Sequence, residues 1–214
     1  MKFDTNGHYL EAVSFNYNEI ISYRMVYKYD SSGKLIEQYS YGQGDTLISK
    51  QVLVYDAAGK CIGRDFFHND ERSGKAVLVY DKNGNVIIDS GFDARGNLEG
   101  LTMANYDSRG NVTLSVERNA NDSLVTVTTY KYDRFSDEVE NDYYNAERKT
   151  RFVDKCKYDD QGRQIEKVNL YHGEVMSKTT SKYEDIDKEG NWAIKREKMD
   201  GKPYTVTVRK IEYW

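Results

Sequence analysis

Proline is almost missing from this chain, with one residue, Pro203, in 214. No proline-rich or Ser/Gly-rich stretch supplies a linker, so the expected organisation is a single domain over 1–214. Cysteine is nearly as scarce. Cys61 and Cys156 stand 95 residues apart, a spacing that offers no paired-cysteine zinc motif; both are read as buried free thiols, the alternative being a disulfide if the curled sheet brings repeats 3 and 7 within about 7 Å between Cα atoms. The three histidines, His8, His68 and His172, have no second His or Cys at ligand spacing, so no metal or other cofactor is expected. No apolar run approaches the roughly 18 residues of a membrane span, and no membrane insertion is expected. Lys and Arg are interspersed among acidic residues at a net charge of −4, which argues against nucleic acid as a partner. A nucleophile elbow, a phosphate loop and a signal segment at the start are all lacking.

What the chain has is a period. Asp4, Asp30, Asp56, Asp81, Asp107, Asp133, Asp159 and Asp187 follow one another at intervals of 25 to 28 residues, most after a tyrosine. Fixed spacing of this length marks a repeat architecture. Tyr29-Asp30-Ser31-Ser32-Gly33 lies on Tyr55-Asp56-Ala57-Ala58-Gly59 and Tyr80-Asp81-Lys82-Asn83-Gly84. Tyr106-Asp107-Ser108-Arg109-Gly110 and Tyr158-Asp159-Asp160-Gln161-Gly162 continue the series. Asp suits the first position of a type I turn, where its carboxylate accepts backbone N–H groups, and Gly three residues later takes a positive φ. The expected structural turn residues are therefore Asp30, Gly33, Asp56, Gly59, Asp81, Gly84, Asp107, Gly110, Asp159 and Gly162. In the sixth unit Ser136 replaces that glycine, which predicts a distorted turn.

Looser turns fall between the Asp turns, at Tyr41–Asp45, His68–Gly74, Asn119–Asp122, Tyr171–Glu174 and Met199–Lys202; Phe92–Leu98 is a mid-unit turn with the Asp signature. Each unit thus reads as two strands and two reversals. Two residues before the turn tyrosine stand Tyr27, Leu53, Leu78, Tyr130 and Cys156, with Ile211 at the end of the chain, and these share the tyrosine's face. Lys28, Val54, Val79, Asn105, Lys131, Lys157 and Glu212 lie on the other face, which is more polar but only partly so. The predicted fold is all-β: about eight tandem hairpins of about 26 residues in one continuous antiparallel meander, with sixteen strands of roughly 8 to 9 residues each. At about 20 to 25° of twist per strand it must be strongly twisted and curled.

The recurrent Tyr-Asp-x-x-Gly-x-Leu/Val unit resembles the YD repeat of Rhs-type bacterial surface and secreted proteins, over essentially the whole chain. The resemblance implies a hairpin repeat of the cell envelope or exterior, tied to carbohydrate binding or to a shell around a toxin. The residues themselves favour a non-enzymatic binding or scaffold protein that presents a curved, Tyr-rich sheet to a carbohydrate or a protein. Tyr39, Tyr41, Tyr143, Tyr144, Tyr171 and Trp192 are the candidate ligand-binding aromatics, and Trp214 either caps the last strand or serves an interface. Two rivals stand beside this reading. One is a hydrolase using a carboxylate pair; the other is a purely structural segment of a larger Rhs-like assembly, with edge-strand or face-to-face homo-oligomers as the mode of association. The places where the repeat breaks, around Ser136 and from His68 to Gly74, are where function is expected.

Overall fold

The computed structural model describes residues 1–17 and 20–210. It is an all-β antiparallel meander, with seventeen strands among the described residues against the sixteen expected. The expectations for Ile211, Glu212 and Trp214 lie outside the described residues. By backbone proximity the chain divides into two compact units, Met1–Thr102 with Asn119–Asp122 and Met103–Arg118 with Ser123–Trp214.

The first unit holds β1 (Lys2–Phe3), β2 (Tyr9–Phe15), β3 (Ile21–Tyr29), β4 (Leu35–Tyr41), β5 (Leu47–Tyr55), β6 (Cys61–His68), β7 (Glu71–Tyr80), β8 (Val86–Asp93) and the start of β9 (Leu98–Tyr106). The second holds the rest of β9, then β10 (Val112–Asn119), β11 (Leu124–Tyr132), β12 (Glu138–Asn145), β13 (Thr150–Tyr158), β14 (Gln164–Tyr171), β15 (Glu174–Ile186), β16 (Trp192–Met199) and β17 (Lys202–Val208). Within each unit successive strands pair antiparallel, as in β3 with β4 and β13 with β14. Burial is shallow: only Ala76, Ser40, Thr128 and two glycines, Gly63 and Gly74, are buried among the described residues. Stability must then come from many half-buried contacts repeated along each unit, not from one dense core.

The Asp turns have one geometry. In the turn at Asp81 the Asp N–H donates to the Asn85 carbonyl at 2.9 Å, and the Gly84 N–H donates back to the Asp81 carbonyl at 3.2 Å. Asp81 Oδ1 accepts from the N–H groups of Asn83 and Asn85, both at 2.9 Å. Gly84 has φ 91°, and the register shifts between Val79 and Tyr80, as a glycine bulge requires.

The sixth turn corrects the sequence expectation, because it is not distorted. Asp137 donates to Asp133 Oδ1 at 3.0 Å, the Asp133 N–H reaches the Asp137 carbonyl at 3.0 Å, and Ser136 takes glycine's role at φ 72°. The carboxylate network holds the turn; Ser136 bears the strain of a left-handed backbone, about 1 to 2 kcal/mol. Its hydroxyl accepts from Asn111 Nδ2 at 3.2 Å, which recovers part of that. Ser136→Gly is therefore expected to stabilise by about 0.5 to 1 kcal/mol and raise the melting temperature by roughly 2 °C in calorimetry; a lower melting temperature would mean the hydroxyl bond outweighs the backbone strain.

A second correction concerns His68–Gly74. Only Asn69 and Asp70 make the reversal, at φ 49° and 62°, and β7 begins at Glu71. Two consecutive positive φ values are the mark of a type I′ hairpin, which Asn and Asp tolerate. His172-Gly173 and Asp200-Gly201 make the same two-residue turn, at φ 48° and 90° and at 50° and 79°.

Candidate functional site

The turn tyrosines do more than fill space. Tyr29, Tyr55, Tyr80, Tyr158 and Tyr183 donate their hydroxyls to the carbonyls of Tyr9, Leu35, Cys61, Glu138 and Gln164, 19 or 20 residues earlier. Each accepting residue starts a strand, two positions outside the last ladder pair with the strand that follows, for example Glu37↔Val52 beyond Leu35. The hydroxyl therefore supplies a bond that the backbone ladder has stopped supplying. Tyr183 replaces a residue adjacent to Asp because its unit is two residues longer, with Asp185 at φ 52° taking up part of the difference.

In most turns the residue four after the Asp fills one or both of two roles. Asn85, Asn97 and Asn111 donate their side chains to Oδ2 of their own Asp at 2.8 to 3.0 Å, and His8 and Arg163 bond the same oxygen of Asp4 and Asp159 at 2.8 and 2.7 Å. His8, Lys34, Lys60 and Arg163 lie over the next tyrosine ring, respectively Tyr29, Tyr55, Tyr80 and Tyr183, at 4.8, 5.7, 3.7 and 5.3 Å from its centre. Adjacent hairpins are thus stitched by a hydroxyl bond and a cation or imidazole on the same ring.

The face opposite the tyrosines carries an ionic ladder that the sequence reading missed. Glu37 lies between Lys28 and Lys50 at 3.1 and 2.9 Å, Glu140 between Lys131 and Lys155 at 2.7 and 3.5 Å, and Glu166 between Lys157 and Lys178 at 2.8 and 2.7 Å. Glu11, with Lys2 and Arg24, is a fourth copy. In each, the first lysine precedes Asp by two and the glutamate follows it by seven. Lys50 and Tyr39 hold Glu37 down to about 2, against desolvation, and Lys157 and Lys178 hold Glu166 down to about 2. In three intervening units the same two positions are Val54 and Gly63, Val79 and Ile88, and Asn105 and Leu114.

Of the candidate aromatics, Tyr39 and Tyr41 belong to that ladder. Their rings stack at 6.3 Å, Lys28 and Lys50 lie over Tyr39, and Arg24 sits 4.1 Å from the centre of Tyr41. Trp192 packs against Tyr183 at 5.4 Å, with the Arg209 guanidinium 4.0 Å above it. Tyr143 and Tyr171 come together with a residue the sequence did not single out, Phe152. The three occupy neighbouring strands in register, with ring centres 6.5 and 4.9 Å apart, and Phe152 is 46% exposed.

Tyr144 faces the other way, into a groove within the second unit. Two adjoining hollows of about 350 and 470 Å³ share Asp142, Arg151 and His172. Val153, Leu170, Glu140 and Lys155 line the first; Val127, Thr129, Tyr144 and Lys149 line the second. Arg151 grips both oxygens of Asp142, and that hydrogen bonding, against desolvation, holds the Asp142 carboxyl below its usual range. Among the described residues no group of three or more His, Cys, Asp or Glu is placed to hold a metal ion. No helix among them is long and apolar enough to cross a membrane.

No protein-family model matches the chain, and no curated protein matches it by sequence. Among solved structures it is similar to a porin-like protein from Bacteroides uniformis, with a TM-score of 0.50 at 10% identity over 87% of this chain and 91% of that one. It also aligns with TcdB2-TccC3 lacking its hypervariable C-terminal region, with a TM-score of 0.24 at 11% identity, over 92% of this chain and 15% of that one. The first match shows a shared β fold and nothing finer. The chain is accordingly a protein of antiparallel all-β fold built from repeated hairpins.

Proposed function

We propose that this chain is a non-enzymatic YD-type β-repeat scaffold of the cell envelope or exterior, presenting its sheet to a glycan or a protein. The observation that carries the reading is that its polar chemistry is spent on repetition. The same Asp turn recurs along the chain, the tyrosine bond and the Lys-Glu-Lys triad recur in several units, and each has a structural partner. The acidic side chains with a displaced titration support it. Glu11, Glu37, Glu140, Asp142, Asp154, Glu166 and Glu184 are all displaced downward, by bonds to Lys, Arg or Asn. A glycosidase acid needs the opposite, a carboxyl held protonated near neutral pH.

Charge placement supports a site outside the bilayer. Glu37, Glu140 and Glu166 sit within strands on one face, and Asp89 with Arg64 and Asp154 with Lys167 sit on the other. On a lipid-facing strand each such cation would cost about 2 to 4 kcal/mol at the midplane. A glycan array probed with the intact chain, followed by mass spectrometry of the bound glycans, tests the reading. Retention with every glycan intact is the expected result. Cleavage that disappears in a Glu→Gln variant would establish the hydrolase instead, and silence across the array would leave the protein-binding or structural-segment form.

A further inference from the structure

We propose that the groove on the β12, β13 and β14 face of the second unit binds a small carboxylate carried on a flat ring. Its two hollows, about 350 and 470 Å³, fall in the size range of small-molecule sites. The charges facing them come from three neighbouring strands and their turns. The acids are Glu140 and Asp142, and both are saturated, Glu140 by Lys131 and Lys155 and Asp142 by the two-pronged grip of Arg151. Against these two acids stand three lining cations, Lys155, Arg151 and Lys149.

Lys149 is the odd one. It is exposed, stands at φ 53° in the β12–β13 turn, and forms no ion pair among the described residues. Arg151 commits Nε and one terminal nitrogen to Asp142 and keeps its other terminal nitrogen for a ligand. His172, exposed at the facing turn, adds a ring nitrogen. The groove therefore has a surplus of positive charge and uncommitted donors gathered at one end. The body of the ligand follows from the wall beside them. Tyr144 and its cross-strand partner Val127 form an apolar surface next to Lys149 and Arg151, suited to a flat ring whose carboxylate turns toward the cations.

Amide chemical shifts of the ¹⁵N-labelled full chain, followed during titration with sodium benzoate and separately with neutral benzamide, test this. Benzoate is expected to move the Tyr144, Arg151 and Gly173 amides saturably, and benzamide to bind at least about tenfold more weakly. Lys149→Asn removes the charge but keeps a residue tolerant of positive φ, so it is expected to melt normally and to lose about tenfold in benzoate affinity. Equal binding of the two probes, shifts confined to other residues, no shifts, or an unaffected Lys149→Asn variant would each overturn the proposal. None of these outcomes bears on the scaffold reading, which rests on the repeats and not on this groove.

Discussion

Replacing Gly63 with alanine is expected to lower stability by about 3 kcal/mol, the upper end of what overpacking a tight contact costs. A Cβ at this position would stand 2.5 Å from the Ala76 carbonyl oxygen, a backbone atom of the neighbouring strand that no side-chain rotation can move away. Gly74 is held in the same way by the Phe92 carbonyl at 2.5 Å. Strands β6, β7 and β8 therefore approach one another in a manner only glycine allows. Gly91 is the control: its nearest neighbour would be the Gly100 carbonyl at 3.8 Å, an ordinary contact, and Gly91→Ala is expected to change stability by less than about 1 kcal/mol. Urea denaturation of the three proteins decides the matter. Equal midpoints for Gly63→Ala and the parent would mean that β6 and β7 lie further apart than described.

Asp159→Ala is the second large effect, with an expected loss of about 2 kcal/mol. The Asp159 carboxylate accepts from the N–H groups of Gln161 and Arg163, each at 3.0 Å, and from Arg163 Nε at 2.7 Å. Alanine strands all three donors at once. Asp159→Asn keeps an acceptor for the two backbone groups and is expected to lose about half as much. The two variants also separate in their pH dependence. Burial pushes the Asp159 carboxyl upward, but the bonds from Arg163 and Gln161 outweigh it and set the folded value below the ordinary 3.8. A depressed acid contributes stability that is present above 3.8 and disappears as pH falls through the folded value. Melting curves of the parent between neutral pH and about pH 3 should carry that slope on top of the contribution of the other depressed acids, and those of Asp159→Asn should fall off less steeply by Asp159's share. A parallel slope in both would assign the acid sensitivity to other carboxylates.

The fold was legible in the sequence because its signals are local. An Asp with a Gly three residues later specifies its own turn, and a copy every 26 residues or so specifies the meander. Ser136 was misread because the turn was credited to glycine, whereas the carboxylate of Asp133 holds it. The His68–Gly74 stretch looked long because Asn69 and Asp70 carry no glycine, although both accept the backbone a tight hairpin needs. The β12–β13 turn around Lys149 has neither Gly nor Pro and gave no signal at all.

The site was less legible, for a different reason. A hydroxyl of Tyr55 reaching the carbonyl of Leu35 depends on register between strands, which no window along the chain contains. Lys131-Glu140 and Lys157-Glu166 did leave a trace, a lysine nine residues before a glutamate repeating with the turns. The groove at Tyr144, Arg151 and His172 left none, because its residues come from four strands and two turns and share no motif.

The triads also bear on how errors are rejected during folding. Side chains alternate faces with a period of two, so a strand that slips by two residues keeps its apolar side inward, and burial alone barely registers the mistake. Charge does register it. A two-residue slip of β3 on β4 would move Glu37 from Lys28 to Val26 or Asp30, which leaves Glu37 with Lys50 alone or sets two acids face to face. The triads act like a parity check written along the strands. Where Val54, Gly63 and Val77 replace them, the close approach at Gly63 takes over the task, since only one residue of β6 can lie against the Ala76 carbonyl.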